Sequence, residues 1–141
     1  MVTLKEYKTE DWSKIDDAVE PFMFHRPLKE FNRIAKRGIA VTATEDGSVM
    51  ICGGVALVSE DEGIVWVKVS RKCLKQPIRY ARGIKEVFKA MMDSLGSMTI
   101  VTYILENFCK GERVAKLIGM KKVDKTYKFR GQVYNKFMVV T

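Results

Sequence analysis

The fold is decided by residues 64–83, IVWVKVSRKCLKQPIRYARG, in which an apolar run leads into a basic segment. The β-branched and apolar residues Ile64–Val69 predict a buried strand. From Arg79 to Leu95 apolar side chains recur every three or four positions, and Gly96 follows, which predicts a long helix that ends at a glycine. The sequence therefore predicts a place where a strand, the start of a helix and positive charge meet.

The strand at Ile64 is predicted to be the third of a β-meander, because Asp46-Gly47 is a strong hairpin signal and residues 59–63 form a polar turn. A meander followed by a helical crossover to a further strand predicts an α+β fold with a mixed, mostly antiparallel sheet. The predicted order is β-α-α-β-β-β-α-β-α-β-β: strand Val2–Tyr7, a helix from Thr9 that Pro21 stops, helix Leu28–Arg37, strands Gly38–Thr44, Val49–Val58 and Ile64–Val69, helix Arg79–Leu95, strand Ser97–Leu105, helix Glu112–Ile118, and strands Lys122–Arg130 and Val133–Val140.

Length and composition bound the class of protein. At 141 residues the chain has the length of one domain, residues 1–141. A composition of 47% hydrophobic and 30% charged residues excludes a disordered chain. The apolar runs are too short to cross a bilayer and the N-terminus shows no secretory signal, so no membrane association is expected. The cysteines Cys52, Cys73 and Cys109 suit neither disulfides nor a zinc site, and we expect a cytoplasmic protein without a bound metal.

The basic charge is concentrated in one segment. The formal net charge is +8, and between Lys68 and Lys89 eight basic residues stand against one acidic residue, Glu86. Such a band predicts either a phosphate-binding surface or a solvated helix face. Nucleic-acid binding is not favoured, because no helix-turn-helix, zinc-finger or aromatic-glycine motif accompanies the charge.

Two motifs resemble those of the GNAT family of acyl-CoA-dependent N-acyltransferases, and the resemblance in element order spans Val2 to Val140. Asn107, a short helix and Gly119-Met120 resemble the Asn, short helix and Gly-Phe of that family. Residues 76–81, QPIRYA, resemble its Gln/Arg-x-x-Gly-x-Gly/Ala loop, whose amides bind the pyrophosphate of CoA at a helix N-terminus. The resemblance implies that the sheet is open beside this loop and that acetyl-CoA is bound by Arg71, Gln76, Arg79, Tyr80, Ala81, Arg82 and Asn107.

This loop departs from the family pattern at two positions. Arg79 stands at the middle glycine, and Pro77 removes one amide donor. We expect basic side chains to supply charge in place of the missing backbone donors, with weaker binding than a complete ring of amides would give.

The positions of the family's acid and base are also changed. Acyl transfer to an amine needs a base for the ammonium and an acid for the leaving thiolate. The family often has a tyrosine on the short helix where this chain has Ala115, and a glutamate on the fourth strand, where Lys68 is the only ionisable residue. Glu106, at the end of the next strand, is the candidate catalytic base, with a solvated strand-end carboxylate as the alternative.

Other residues have a functional and a structural interpretation. His25 lies where family members bind acceptors, and Cys109 lies near the expected thioester, but an incidental loop histidine and a buried structural thiol are the commoner explanations. Tyr103 and Tyr127 alternate with core residues on strands and are expected to be packing residues. Phe22 and Phe24 either line an acceptor pocket or cover the core.

Two hypotheses of function remain. The first is an acetyl-CoA-dependent N-acyltransferase that acts on an unidentified amine. The second is a catalytically inactive protein, since Gly53-Gly54, Trp66-Val67 and residues 116–119 resemble the GNAT-like internal virion protein of short-tailed bacteriophages. That resemblance implies virion assembly or DNA delivery, phage structural proteins as partners, and a location in the host cytoplasm or the virion. The sequence leaves the oligomeric state open.

Overall fold

The computed structural model of the chain describes residues 2–19, 37–129 and 131–141. Within this part, one seven-stranded sheet has the strand order β1-β2-β3-β4-β5-β7-β6; β4 and β5 are parallel and the other neighbours antiparallel. The strands are β1 Val2–Glu6, β2 Gly38–Glu45, β3 Ser48–Leu57, β4 Glu62–Val69, β5 Thr99–Leu105, β6 Lys121–Phe129 and β7 Gln132–Val140. The helices are α1 Thr9–Lys14, α2 Pro77–Leu95 and α3 Cys109–Leu117, and a 3₁₀ turn covers Arg71–Lys75.

The predicted α+β fold with a mixed, mostly antiparallel sheet is confirmed. The predicted bounds of most strands and of the last two helices differ from the observed ones by a few residues. The predicted helix Leu28–Arg37 lies, apart from Arg37, outside the described residues. Among the described residues, no helix has both the length and the apolar character needed to span a membrane.

The β2–β3 hairpin follows from its two-residue turn. Asp46 and Gly47 have φ values of 52° and 78°. Positive φ at both positions is the geometry of a type I′ turn, which Asp-Gly adopts readily and which matches the twist of the flanking strands. The turn leaves Glu45 at the end of β2, from where its carboxylate reaches Arg79 at the start of α2.

The two faces of the sheet pack against different helices. Side chains alternate between the faces of a strand. In β4, Val65 and Val67 pack in the cluster that contains Phe88 of α2, whereas Trp66 packs with Ile15 after α1. We call these the α2/α3 face and the α1 face. The edge of β4 is therefore flanked by two separate surfaces.

The first helix is shorter than predicted. It ends at Lys14, and Ile15 is already extended, with φ −90° and ψ 97°, although the apolar spacing predicted a helix as far as Pro21. The chain instead runs beside the end of β4, where the Val19 amide donates to the Val69 carbonyl at 2.8 Å. Pairing with a strand far away in sequence thus overrides the local helical pattern.

The 3₁₀ turn between β4 and α2 was not predicted. The Ser70 hydroxyl accepts a hydrogen bond from the Lys72 amide at 3.2 Å and donates to the Asp17 carboxylate at 2.8 Å. Cys73 is buried within the turn. Burial, with the nearby Asp17 carboxylate, raises the pKa of the Cys73 thiol to about 12, so this thiol stays protonated and packs as an apolar group.

A buried carboxylate joins α1 to the sheet. Asp11 is 0% exposed and accepts hydrogen bonds from the Lys8 amide at 3.0 Å and from the Thr42 hydroxyl of β2 at 2.9 Å. The ammonium groups of Lys5 and Lys14 lie 3.3 and 3.6 Å from its Oδ1. Burial alone would raise the pKa of Asp11, but the hydrogen bonds from Lys8, Thr42 and Lys5 hold it below its ordinary value.

We expect Asp11→Asn to lower the free energy of unfolding by about 1–3 kcal/mol at neutral pH, because the variant loses the charge that Lys5 and Lys14 pair with. Since the folded-state pKa is the lower one, Asp11 stabilises the protein above the unfolded pKa of about 4, and this contribution fades as the pH falls through the folded value.

Urea unfolding of both proteins at about pH 7 and at about pH 3 measures this effect, and the difference between them should shrink in acid. The exposed Asp16→Asn is the matched control, with an expected change below about 0.5 kcal/mol. Equal losses in the two variants would contradict the role assigned to Asp11.

Candidate functional site

The strands β4 and β5 are paired at their beginnings and then diverge. Three positions are in register, Glu62–Ile64 opposite Thr99–Val101. At the next position the Thr102 hydroxyl donates to the Val65 carbonyl at 3.0 Å, so a side-chain hydrogen bond replaces a backbone one. We call the space between the diverging ends, from Val65 and Thr102 onward, the gap. The opening that the sequence implied beside residues 76–81 is therefore present.

Strand geometry directs the backbone of Val67 into the gap. In a strand, the backbone groups of alternate residues face the same edge. The Val65 carbonyl faces β5, because it accepts from Thr102, and the Val69 carbonyl accepts from the Val19 amide on the same edge. Val67 lies between these two residues, so its amide and carbonyl point toward the gap, where no β5 residue is in register with it.

On the α2/α3 face the gap opens into a cleft of about 310 Å³ between the two helices. Its walls are mainly apolar and include Val67 of β4, Ala81 and Ile84 of α2, and Phe108 and Val114 of α3. The basic side chains of Lys110 and Arg113 also line it, from α3. An apolar cleft with cations at one wall suits a thin, largely apolar molecule that carries negative charge.

The start of α2 offers fewer backbone donors than a glycine-rich loop. Pro77 has no amide hydrogen, the Gln76 amide donates to the Cys73 carbonyl at 3.1 Å, and the Tyr80 amide donates to the Gln76 carbonyl at 3.2 Å. The amides of Ile78 and Arg79 are those without an acceptor inside the helix. The Gln76 side chain does not cap them. Two amides therefore point out of the helix start, where an anion would bind.

The Arg79 guanidinium is bound by two acceptors, one at the end of β2 and one at the helix start. Its Nη1 donates to Glu45 Oε1 at 2.9 Å and to Gln76 Oε1 at 3.0 Å. The Tyr80 hydroxyl donates to the second oxygen of the same Glu45 carboxylate. The hydrogen bonds from Tyr80 and Arg79 lower the pKa of Glu45, and burial with the bond to Glu45 raises that of Tyr80 to about 12. The positive charge of Arg79, at the position of the family's glycine, is therefore balanced by the Glu45 carboxylate.

The other predicted binding residues are distributed around the cleft. Tyr80 and Ala81 line it directly. Arg71 is exposed in the 3₁₀ turn, and Arg82 lines a second, open depression of about 460 Å³ at the start of α2. Asn107, between β5 and α3, has a φ of 70°, a left-handed conformation that asparagine tolerates better than most residues.

The structure limits which residues can act as an acid or a base at the gap. Ala115 is 0% exposed and packs in the core. The position where the family often has a tyrosine therefore holds a small packing residue of α3. Lys68 is buried on the α1 face, donates to the Trp12 carbonyl at 2.7 Å and lies 4.6 Å from the centroid of that ring. Glu106 is exposed just after β5. His25, Phe22 and Phe24 lie outside the described residues.

Three further expectations concern side chains on strands and on α3. Cys109 is exposed as the first residue of α3 rather than buried. Tyr103 and Tyr127, which alternate with core residues along their strands, are half-buried and contact each other edge to face. Within residues 2–19, 37–129 and 131–141, no group of three or more His, Cys, Asp or Glu could hold a metal ion.

Sequence analysis did not identify the backbone of Val67 or the cations Lys110 and Arg113. The direction of the Val67 amide depends on pairing with residues that are far away in sequence, so no local pattern reports it. Lys110 and Arg113 are separated by three positions in a short helix, which places them on one face. From that spacing, the sequence could have predicted a basic surface on α3.

No protein-family model matches the chain, and no curated protein matches it in sequence. Solved structures match its fold over nearly the whole length. The ribosomal-protein-S18-alanine N-acetyltransferase from Escherichia coli is 14% identical with a TM-score of 0.67, over 99% of this chain and 94% of that one. A GNAT family acetyltransferase from Elizabethkingia anophelis with acetyl-CoA bound is 9% identical with a TM-score of 0.66, over 99% and 98%.

A third structure, Ard1 from Thermoplasma volcanium, is 11% identical with a TM-score of 0.72 and covers 99% of this chain and 97% of its own. At these identities the likeness is one of fold. The chain has the fold of the GNAT acetyltransferases, as the sequence resemblance implied.

Proposed function

We propose that the chain, as one GNAT-like domain over residues 1–141, binds acetyl-CoA and transfers its acetyl group to an amine. The observation that carries this proposal is the divergence of β4 from β5 after three paired positions, beside an apolar cleft. Strands that stayed paired to their ends would leave no space for a thioester between them. The acetyl-CoA-bound protein from E. anophelis has the same fold, which supports the choice of ligand.

The lining of the cleft fits the parts of acetyl-CoA. The pantetheine arm is thin and mostly apolar, and Val67, Ile84 and Val114 provide apolar walls for it. The phosphates need hydrogen-bond donors, which the amides of Ile78 and Arg79 supply at the start of α2, where the helix dipole also favours negative charge. We assign to this site the predicted residues Arg71, Gln76, Arg79, Tyr80, Ala81, Arg82 and Asn107, together with Lys110 and Arg113.

The chemistry follows from the bonds exchanged. The bound thioester supplies an electrophilic carbonyl carbon; the amine nitrogen forms a bond to it, the carbon–sulfur bond breaks, and CoA leaves as the thiolate. In this chain the Val67 amide donates toward the gap, where negative charge on the carbonyl oxygen develops. Glu106, exposed at the end of β5, accepts the amine proton through a water molecule.

The second hypothesis, an inactive phage protein, rests on the sequence resemblance and on the changed acid and base positions. Neither the described residues nor the similar structures add an observation in its favour. Acetyl-CoA binding without turnover on any amine would support it, and turnover would exclude it.

We expect Ala81→Phe to lower the affinity for acetyl-CoA by about tenfold or more, because the added ring occupies a cleft of about 310 Å³. Isothermal titration calorimetry with acetyl-CoA at moderate salt measures this change. Ala90→Phe, on the exposed side of the same helix, is the matched control and should bind like the unmodified protein. No heat for the unmodified protein at millimolar acetyl-CoA, or equal affinity of the two variants, would contradict the assignment of the cleft.

The ion pair of Arg79 with Glu45 gives a second prediction. Glu45→Gln should bind acetyl-CoA about three- to fivefold more tightly at low salt, because Arg79 is then a free cation near the phosphates. Arg79→Ala should bind more weakly, since the negative charge of Glu45 is then no longer balanced by the Arg79 guanidinium. The double variant restores neutrality and should return close to the unmodified affinity. Additive effects that leave the double variant far from this value would show that Arg79 itself contacts the phosphate.

The proposed base is tested by Glu106→Gln. If Glu106 takes the amine proton, kcat should fall about 10²-fold with little change in KM for acetyl-CoA, and the loss should be smaller at high pH. Release of free thiol in the presence of a peptide amine measures the rate. Glu86→Gln, exposed on α2, is the control. Unchanged turnover in Glu106→Gln would remove Glu106 from the mechanism.

A further inference from the structure

The sheet carries a group of aromatic and basic side chains beyond the gap. Tyr103 of β5 and Tyr127 of β6 lie edge to face, with ring centroids 5.4 Å apart. The ammonium groups of Lys125 and Lys136 lie 5.3 and 5.8 Å from the centroid of the Tyr127 ring. We call these four residues the aromatic–lysine patch. Its lysines are held by a tyrosine ring, so they are partly ordered before any ligand binds.

The strand register places this patch on the α1 face. Tyr103 is in register with Lys136, so both side chains are on one side of the sheet. Val101, two residues before Tyr103, is in register with Ile64 of β4, which packs in the α1-side cluster. The patch therefore lies on the opposite face from the cleft. Tyr103 directly follows Thr102, where the gap begins.

The patch also lies at a defined distance from the gap. Neighbouring strands are about 4.8 Å apart, β5 borders the gap, β7 is the next strand and β6 the one after. The backbones that carry Lys136 and Lys125 are therefore about 5 and about 10 Å from β5. A molecule whose amine enters the gap from the α1 face reaches this patch with a group one or two residues further along its chain.

The charge of the patch selects for an anion. Within the described part of the chain, neither Lys125 nor Lys136 forms an ion pair. Two ammonium groups near one ring repel each other, and an anion between them relieves that repulsion. The hydroxyl groups of Tyr103 and Tyr127 add hydrogen-bond donors of the kind a carboxylate accepts.

The geometry favours a carboxylate over a nucleic-acid base. Stacking of a base needs an open aromatic face. The ring of Tyr127 is approached by two ammonium groups and by Tyr103, so its surface is already in use. A carboxylate needs no open face, because it binds the ammonium groups themselves.

The kind of amine follows from the changed base position. A polypeptide α-amine has a pKa of about 8, whereas a lysine side chain has one of about 10.4. Near neutral pH the α-amine is therefore neutral a few hundred times more often. The fourth strand has Lys68 in place of the family's glutamate, and Lys68 is bound to Trp12. A site with no carboxylate on that strand works best on an amine that is already partly neutral.

Building on the proposed function, we propose that the acceptor is the N-terminus of an acidic polypeptide, whose α-amine enters the gap from the α1 face while a carboxylate one or two residues further on binds Lys125 and Lys136 of the aromatic–lysine patch.

The test compares two hexapeptides with free N-termini, one with glutamate at its second and third positions and a twin with glutamine there. With acetyl-CoA, the unmodified protein should acetylate the glutamate peptide with a kcat/KM about tenfold higher, mainly through KM. The double variant Lys125→Gln/Lys136→Gln should treat the two peptides alike. Lys128→Gln is the matched control and should keep the preference, since Lys128 is opposite Val133 in the β6–β7 register and faces the other side of the sheet from Tyr127.

Binding of the same peptides without acetyl-CoA, by fluorescence anisotropy of a C-terminal label, separates this proposal from the proposed function. A preference for the glutamate peptide that the double variant loses supports the patch even if no acetyl transfer occurs. Equal binding of the two peptides by the unmodified protein overturns it, as does an equal loss in Lys128→Gln. Tighter, lysine-dependent binding of a twelve-nucleotide oligothymidine than of the glutamate peptide would also overturn it and indicate a nucleic acid.

Discussion

The site depends on how one edge of β4 is divided between two partners. β5 takes the first three positions of that edge, and the chain after α1 takes the last, through the bond from the Val19 amide to the Val69 carbonyl at 2.8 Å. The Arg71 amide extends this contact by donating to the Asp17 carbonyl at 3.1 Å. Because the two partners approach from different directions, β5 cannot follow β4 to its end. The Val67 amide faces this gap, so a ligand placed there can accept a hydrogen bond from it.

The same division explains why a residue far from the gap matters to it. Asp11 ties the short helix α1 to Thr42 of β2. With α1 fixed there and ended at Lys14, the following residues are extended and reach β4. A longer helix would carry Asp17 and Val19 away from the sheet. The buried carboxylate therefore stabilises the fold and also keeps in place the segment that holds the gap open.

Local patterns in the sequence predicted the elements but not their long-range partners. The turn at Asp46-Gly47 and the spacing of apolar residues in α2 are properties of short segments, and both are confirmed. The end of α1 could not be predicted, because Ile15 and Val19 have a helical spacing and leave it only to pair with β4. The ion pair of Arg79 with Glu45 joins residues 34 positions apart, so sequence analysis counted Arg79 as a free cation.

The candidate site shows the same contrast. Ala81 and Tyr80 were assigned to it from the loop pattern, and both line the cleft. Tyr103 and Tyr127 were expected to be packing residues on strands, but alternation along a strand does not tell which side chain each of them contacts. Their contact with each other depends on the order of β5, β7 and β6 in the sheet, which brings strands together that are separated in sequence by α3.

Under the proposed function, the alanine at position 115, where GNAT enzymes often have a tyrosine, has a limited energetic effect. A thiol has a pKa of about 8.5, so near neutral pH the departure of CoA as a thiolate rather than a thiol costs the difference of about 1.5 pKa units, or about 2 kcal/mol. Cations close to a thiolate lower its pKa and reduce this cost further. Lys110 and Arg113 on α3 line the cleft and supply such charge. Holding the thioester and the amine together contributes more, about 7–11 kcal/mol in well-oriented reactions. An alanine at position 115 is therefore weak evidence against catalysis, whereas closure of β4 onto β5 would be strong evidence against it.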